Sequence, residues 1–575
     1  MRQSALKSGC LLAGGEDRQM LVLGYQGTLQ PGHDLCGVFG AGSGHTADGG
    51  LVSVGSPPEM ERLIEPLIFK GLLGFERRVP SGQRVFGGEL IPLDALLGLL
   101  RERLRGILTL AVATHLESEE GSMAQAKREL MRVFPGLAPL LEQAVFEWVA
   151  ATATFYERLQ VDGVRLARWL GFASLPPVDS VSGTTSDTHP GGHLVLRIVF
   201  HGGRCVYYKP RSISGEWLWH RLLEIVAETE PALRLPAGKV LEGSGPARYG
   251  WAESVLFVDS TRGGIEGSAA RTEYWHVAGA MLSIAYHVCL TDLHLGNVLA
   301  TPDGPVVTDA ECLGTPRFVN SPAIGNSRED TESGAFLESL MSTGLLPHRP
   351  IGKMPDVSGL FGSAAPFPNL WLPQWTLEPG GRGRLAAVPA VLIDHRNAPG
   401  KVSMLTVLPQ LLEGYRHAAG VLLHSRKALI SSGSCWRTVL ERDHAPRVVL
   451  RDTLSYGLLR SRYLEPRYLR SEHKRHSSLR SALQRNIAGN FPEAVVRAEV
   501  HALLHLHVPR LIALPGTRTL ATGSRRSLVR GFAACTPAEA VLRRMEELSP
   551  ERLESVHVPA LILAALRAGG SLQHD

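Results

Sequence analysis

The sequence predicts an α+β fold, and three stretches carry the prediction. They are a long run of Leu and Ile at helical spacing, two β-type segments around a Gly-Gly connection, and a polar loop running into a second tight hairpin. From Met1 to about Pro57 the chain is Gly-rich, as in Gly37-Val-Phe-Gly-Ala-Gly-Ser-Gly44, with no sustained period, and reads as a loosely structured lead-in. From about Glu59 to Gly171 apolar residues return every three or four positions with Arg and Glu between them. Leu93-Asp-Ala-Leu-Leu-Gly-Leu-Leu-Arg-Glu-Arg-Leu104 is typical and predicts amphipathic helices. His193 to Phe200 and Cys205 to Lys209 are rich in branched and aromatic residues, so with Gly202-Gly203 between them they predict a β-hairpin. Helical patterns follow over Gly215 to Glu230 and Tyr274 to His287. Val298-Leu-Ala300 and Pro305-Val-Val-Thr308, joined by Thr301-Pro-Asp-Gly304, form the second hairpin. Hairpin, helix, polar loop and hairpin is a kinase-like order.

Composition narrows the function only a little. The chain has 575 residues, 44% of them hydrophobic and 20% charged, so it has material for several cores and the profile of a folded protein. A net charge of +5 spread over such a length does not mark a nucleic-acid binder. Seven scattered cysteines (Cys10, Cys36, Cys205, Cys289, Cys312, Cys435, Cys535) form no CxxC and read as reduced thiols of a cytoplasmic protein. The nearest approach to a membrane span, Ala95 to Ala113, is broken by Arg101, Glu102, Arg103 and Arg105.

The strongest chemical signal is Asp292-Leu-His-Leu-Gly-Asn297 followed, one hairpin later, by Asp309-Ala-Glu311. Phosphoryl transfer needs a carboxylate beside the accepting hydroxyl and oxygen ligands for Mg²⁺, and this pattern supplies both. The bland alternative for the loop alone is an Asx-rich turn whose side chains bond local backbone. Lys209, at the end of the strand in Tyr207-Tyr-Lys-Pro-Arg211, adds a cation for nucleotide phosphates, although a strand-terminal lysine by itself is usually a solvated edge charge. Strand Lys, loop Asp and Asn, and metal Asp together favour ATP chemistry.

Other constellations have plain readings. His501, His505 and His507 offer i, i+4 spacing without an evident third metal ligand, and read as structural. The run from Arg460 to Arg485, eight Lys/Arg against Glu465 and Glu472, could attract an acidic peptide but reads as a solvated face. Arg447 and Arg451, flanking apolar Val448-Val-Leu450, have the pattern of surface charges beside a buried strand.

Six ordered stretches resemble the dehydratase domain of the type II lanthionine synthetases. They are Ser186-Asp-Thr-His189, Tyr208-Lys-Pro-Arg211, Tyr249-Gly-Trp251 with Glu253, Thr291 to Asn297, Thr308-Asp-Ala-Glu311, and Arg447 to Thr453 with Tyr456. The resemblance implies a lipid-kinase-like core with added helical subdomains: a helical part over about 58–180, the core over about 181–460 and a C-terminal helical part over about 461–575. It implies ATP and Mg²⁺ as cofactors, with Lys209 on the phosphates, Asp292, His294 and Asn297 serving phosphoryl transfer, Asn297 and Asp309 on the metal, and Glu311 assisting there. A second set, Asp187, His189, Arg447 and Thr453 with Lys209 shared, would eliminate phosphate from the phosphorylated Ser or Thr of a ribosomally made precursor peptide. Dehydroalanine or dehydrobutyrine results.

Two departures bear on substrate fit: Asp452 stands where the family commonly has Pro, and His507-Val-Pro-Arg-Leu511 replaces a more acidic, aromatic pattern. Full-length members also carry a C-terminal cyclase domain, for which the chain leaves no room before Asp575, so a separate cyclase is expected as partner. The competing readings are a phosphotransferase that stops at the phosphorylated product and a non-catalytic peptide-binding scaffold.

Overall fold

The computed structural model describes residues 39–41, 58–116, 123–183, 190–245, 248–258, 268–319, 340–347, 356–362, 365–377, 383–392, 402–451, 453–485 and 491–569. The architecture is mixed helix and sheet, as expected. Of the lead-in, Phe39–Ala41 is described and forms strand β1; the remainder lies outside the described residues.

The predicted helical region contains α1 (Pro58–Arg78), α2 (Asp94–Leu116), α3 (Met123–Val133) and α4 (Leu137–Leu170), with a two-stranded ribbon, β2 (Val85–Phe86) and β3 (Glu89–Leu90), between the first two helices. α4 stops where Gly171 takes φ 81°, a left-handed conformation that glycine adopts without a Cβ penalty. The predicted hairpin is present as β5 (Leu196–Phe200) and β6 (Cys205–Lys209), with Gly202 and Gly203 both at positive φ in the connection. It is the middle of a five-stranded antiparallel sheet that adds β4 (Val178–Gly183), β7 (Val240–Glu242) and β8 (Gly250–Glu253), in the order β4-β5-β6-β8-β7. Leu104, Phe155, Tyr156, Ile198, Val206, Tyr208 and Trp251 pack these helices and this sheet into one core.

A second core holds the other elements of the site. It joins α5 (Ser214–Thr229), α6 (Ser268–His287), the predicted hairpin β9 (Val298–Thr301) and β10 (Gly304–Val307), α7 (Met404–Ile430) and α8 (Cys435–Arg442). β1 pairs with β12 (Gly383–Leu392), which pairs with β11 (Ala365–Leu377). The part beyond residue 461 is not purely helical. Besides α10 (Glu472–Arg485), α11 (Glu493–Leu504), α12 (Pro537–Glu547) and α13 (Val558–Gly569), it supplies β14 (Leu511–Ala513), β15 (Leu520–Thr522) and β16 (Ser527–Val529) to a sheet begun by β13 (Arg447–Val448). β13 leads into α9 (Thr453–Arg462). These strands are two or three residues long, too short to display an alternation in sequence.

Two glycines set the second core. A Cβ on Gly414 would lie 1.7 Å from the His276 carbonyl oxygen, and one on Gly279 would lie 2.1 Å from that of Leu411, so α6 and α7 touch backbone to backbone. Gly414→Ala must push the helices apart and is expected to cost about 3 kcal/mol or more, at the upper end of overpacking penalties. An unchanged urea midpoint would refute the close crossing.

Four buried histidines are held neutral. Burial pushes His220, His287 and His444 down to about 4 and His557 to about 3. Their contacts suit the neutral ring: His220 Nδ1 accepts from Gly238 N–H (3.0 Å), while His444 meets Ser214 Oγ (2.8 Å) and the Leu313 carbonyl (2.7 Å) through its two nitrogens. Folded values below the ordinary 6.5 mean that between about pH 6.5 and 4 the unfolded chain binds protons the folded chain refuses. Stability is therefore full above pH 6.5 and declines as pH falls. Thermal unfolding from pH 7.5 to 5 should show a falling midpoint, and His287→Phe should flatten the slope; a flat wild-type profile contradicts the assignment.

Candidate functional site

Lys209 is 6% exposed at the end of β6, so it is not a solvated edge charge. Its Nζ donates to Glu216 Oε1 (2.8 Å) and to the Thr308 carbonyl (2.6 Å). Glu216 reaches it because α5 begins five residues after β6, and Gly215 lets that first turn approach the segment after β10. A Cβ on Gly215 would stand 2.3 Å from the Ala310 carbonyl oxygen. Burial alone would raise the Glu216 carboxyl, but Arg211 and Lys209 hold it down at about 2, so it is a carboxylate.

The second hairpin works as expected. Pairing Val307 with Val298 returns Thr308 beside Asn297, whose carbonyl accepts from Thr308 N–H (2.9 Å). Asn297, Thr308 and Lys209 thus form one hydrogen-bonded chain. Asp309 follows directly: its Oδ1 accepts from Glu311 N–H (3.1 Å) and its Oδ2 from Arg211 Nη2 (2.7 Å).

Asp292 has φ 65°, an uncommon backbone state for a non-glycine residue. The loop it opens is braced from outside, since Leu293 N–H bonds the Thr343 carbonyl and Leu295 N–H that of Val357. Burial raises the Asp292 carboxyl, opposed by the charges of His294 and Arg447. Local bonds of the Asx-turn kind are also present: Asn297 Nδ2 donates to the Asp292 carbonyl (2.8 Å), and His294 Nδ1 accepts from Gly296 N–H (3.1 Å). The bland and the chemical readings of this loop coexist.

Glu311 is the hub. Its Oε1 accepts from Arg447 Nη1 (2.7 Å), and its Oε2 faces Arg510 Nη2 (3.1 Å) and Arg211 Nε (3.2 Å). Burial would lower Arg447, but the carboxylates of Glu311 and Asp292 hold it well above the ordinary arginine range. Neither arginine flanking the strand is a surface charge. Arg451 is 6% exposed and bonds Glu499 through Nε (2.8 Å), and Tyr456 donates to the same carboxylate (2.7 Å).

The structure therefore brings together Lys209, Asp292, His294, Asn297, Asp309, Glu311 and Arg447. It places Thr453 in the first turn of α9, the helix that follows β13. Asp187, His189 and Asp452 lie outside the described residues. Sequence reasoning missed Glu216, Arg211 and Arg510. A carboxylate in the first helical turn after the lysine strand was the available signal for Glu216; Arg211 and Arg510 gain their roles only through tertiary contact.

The three histidines read as structural, His501, His505 and His507, lie at and just beyond the end of α11. His507 bonds Glu147 (2.9 Å) within the buried group that includes Arg103, and the His501 and His505 rings lie 4.6 Å apart, tilted by 59°. Among the described residues no three His, Cys, Asp or Glu side chains converge on a metal position. Asp309 and Asn297 supply one carboxylate and one amide, the kind of oxygen ligands that would suffice for Mg²⁺ carried on a nucleotide, whose phosphates and waters would fill the other positions. Of the basic run, Arg467, Arg470, Lys474, Arg480 and Arg485 are exposed, Arg460 and Arg462 are half-buried, and Arg475 is buried and bonds the Tyr463 and Leu504 carbonyls. Cys205, Cys289, Cys312, Cys435 and Cys535 are free thiols, and among the described residues no helix is long and apolar enough to cross a membrane.

Residues 134–513 match the profile of a family described as a domain of unknown function, DUF4135. The chain belongs to that family. DUF4135 is a lanthionine synthetase-associated domain, and the match runs from just before α4 to the end of β14, so every charged group around Glu311 falls inside it. The chain is also 24% identical over 256 residues to the lacticin 481/lactococcin biosynthesis protein LcnDR2 of Lactococcus lactis subsp. lactis. That alignment covers 43% of this chain and 27% of the relative, so the DUF4135 chain matches about a quarter of the relative's length.

Proposed function

We propose that this protein is a lanthipeptide dehydratase of the type II kind, which phosphorylates Ser and Thr of a ribosomally made precursor peptide and then eliminates the phosphate. The observation that carries the reading is the meeting of Lys209, Asn297 and Asp309 through Thr308, with Arg447 on the adjoining carboxylate. A strand lysine paired with a helix carboxylate, here Lys209 with Glu216, is the arrangement by which kinase-like sites fix their phosphate-binding cation. DUF4135 membership and the lacticin relative support a peptide substrate in lanthipeptide biosynthesis.

In the first step the substrate hydroxyl oxygen bonds the γ-phosphorus of ATP, the bond to ADP breaks, and the hydroxyl proton passes to a base. Asp292 is the candidate, with His294 and Asn297 ordering its loop. Lys209 would hold phosphate oxygens, and Asp309 and Asn297, assisted by Glu311, would hold Mg²⁺, whose charge would offset that on the transferring group. In the second step a base takes the α-proton, the C–H pair becomes the double bond, and the Cβ–O pair departs with phosphate. Arg447 and Lys209 neutralise the departing charge; Asp187, His189 and Thr453 complete the proposed set. Dehydrated residues are electrophiles, and closing them with Cys thiols is a separate reaction assigned in this proposal to a partner cyclase in the cytoplasm.

The test is to incubate the protein with ATP, Mg²⁺ and a candidate precursor peptide and to read the peptide mass. Loss of one water per modified residue is expected. A stable phosphate adduct would mean phosphorylation without elimination, and no ATP-dependent change would refute the reading.

A further inference from the structure

We propose that Arg510 pairs with Arg447 to form a subsite for a phosphate monoester dianion. In β13–β14 Arg447 faces Ile512 and Val448 faces Leu511, so Arg510 lies one residue past the last pair. Side chains two apart on a strand share a face, which places Arg510 diagonally beside Arg447 on the Ile512 side. Both guanidinium groups reach Glu311, Arg447 on Oε1 and Arg510 on Oε2. With Arg211 Nε also on Oε2, one carboxylate faces three guanidinium groups.

Both arginines have donors to spare. A guanidinium carries five N–H donors. Among the described residues the Arg447 side chain hydrogen-bonds through Nη1 and that of Arg510 through Nη2, and Arg510 Nε is buried without an acceptor. The two side chains are only 14% and 16% exposed, so water does little for them. Arg510 is also held in place. Gly523 N–H donates to its carbonyl (2.8 Å), and a Cβ on Gly523 would lie 3.3 Å from Arg510 Cγ, so the glycine seats the aliphatic stem. Serving Glu311 alone needs one guanidinium in bidentate contact, whereas two arginines attached by one nitrogen each leave further N–H donors for a second acceptor. Paired guanidinium groups with spare, rigidly placed donors suit a tetrahedral dianion. Identifying that dianion as phosphorylated Ser or Thr rests on the dehydratase reading; the subsite itself does not.

The probes are N-acetyl-O-phosphoserine amide and its unphosphorylated counterpart, titrated calorimetrically into full-length wild type, Arg510→Gln, Arg510→Lys and Lys209→Ala. Wild type should prefer the phosphorylated probe. Arg510→Gln should weaken that preference by about ten- to a hundredfold, the scale of a lost charged hydrogen bond, and Arg510→Lys by less. If Arg510→Gln does not fold, the rise in melting temperature caused by inorganic phosphate in wild type and Arg510→Lys decides, with a smaller rise expected in the lysine variant. No preference in wild type, or a preference lost in Lys209→Ala but kept in Arg510→Gln, overturns the subsite. ATP-dependent peptide phosphorylation is read separately, so its absence alongside an Arg510-dependent preference counts against the dehydratase reading and leaves the subsite standing.

Discussion

Asp309→Asn should lower ATP-dependent phosphorylation by at least about 10² to 10³-fold, the scale of losing one preorganised charged group at a transferring phosphate. Dehydration should fall with it, because the second step consumes the product of the first. Asparagine keeps the side-chain oxygen that accepts from Glu311 N–H, and Arg211 retains Glu216 and Glu311, so the fold should survive. The check is peptide mass after incubation with ATP and Mg²⁺, together with a melting curve. Undiminished dehydration by a folded variant would remove Asp309 from the metal.

Arg447→Ala should give the opposite pattern. Lys209, Asn297 and Asp309 remain linked through Thr308, so phosphorylation should persist, while expulsion of phosphate loses the guanidinium proposed for it. Phosphorylated peptide should accumulate, with elimination slowed by about 10²-fold or more. Feeding chemically phosphorylated peptide without ATP isolates that step. Equal loss of both steps would instead make Arg447 part of the common framework that Glu311 organises.

Much of the arrangement that joins Lys209, Asn297 and Asp309 was legible in the residues. Lys209 could be placed because Gly202-Gly203 forces a tight connection and fixes where the second strand ends. Asn297 and Asp309 could be joined because Thr301-Pro-Asp-Gly304 implies the hairpin that returns one to the other. What resisted was everything set by packing. Arg447 and Arg451 have the local pattern of surface charges, and only Glu311 and Glu499, distant in sequence, make them buried ion-pair partners. β11 carries Pro366, Pro368 and Pro373, which remove ladder donors and conceal a strand from pattern reading, and β13 is too short to have a period.

Glu311 joins pieces far apart along the chain: Arg211 follows β6 of the five-stranded sheet, Arg447 opens the later sheet, and Arg510 sits beside its second strand. These positions cannot drift independently. Loss of the Glu311 carboxylate would strand the guanidinium groups of Arg447 and Arg510 and leave Arg211 to Glu216 and Asp309, and loss of one guanidinium would shift the balance for the other two. Among relatives the four positions should therefore change as a set, and chimaeras made by exchanging the 447–529 segment should work only when the donor carries an arginine at both contact points. Substitutions around this one carboxylate would then record which regions of the protein have been inherited together.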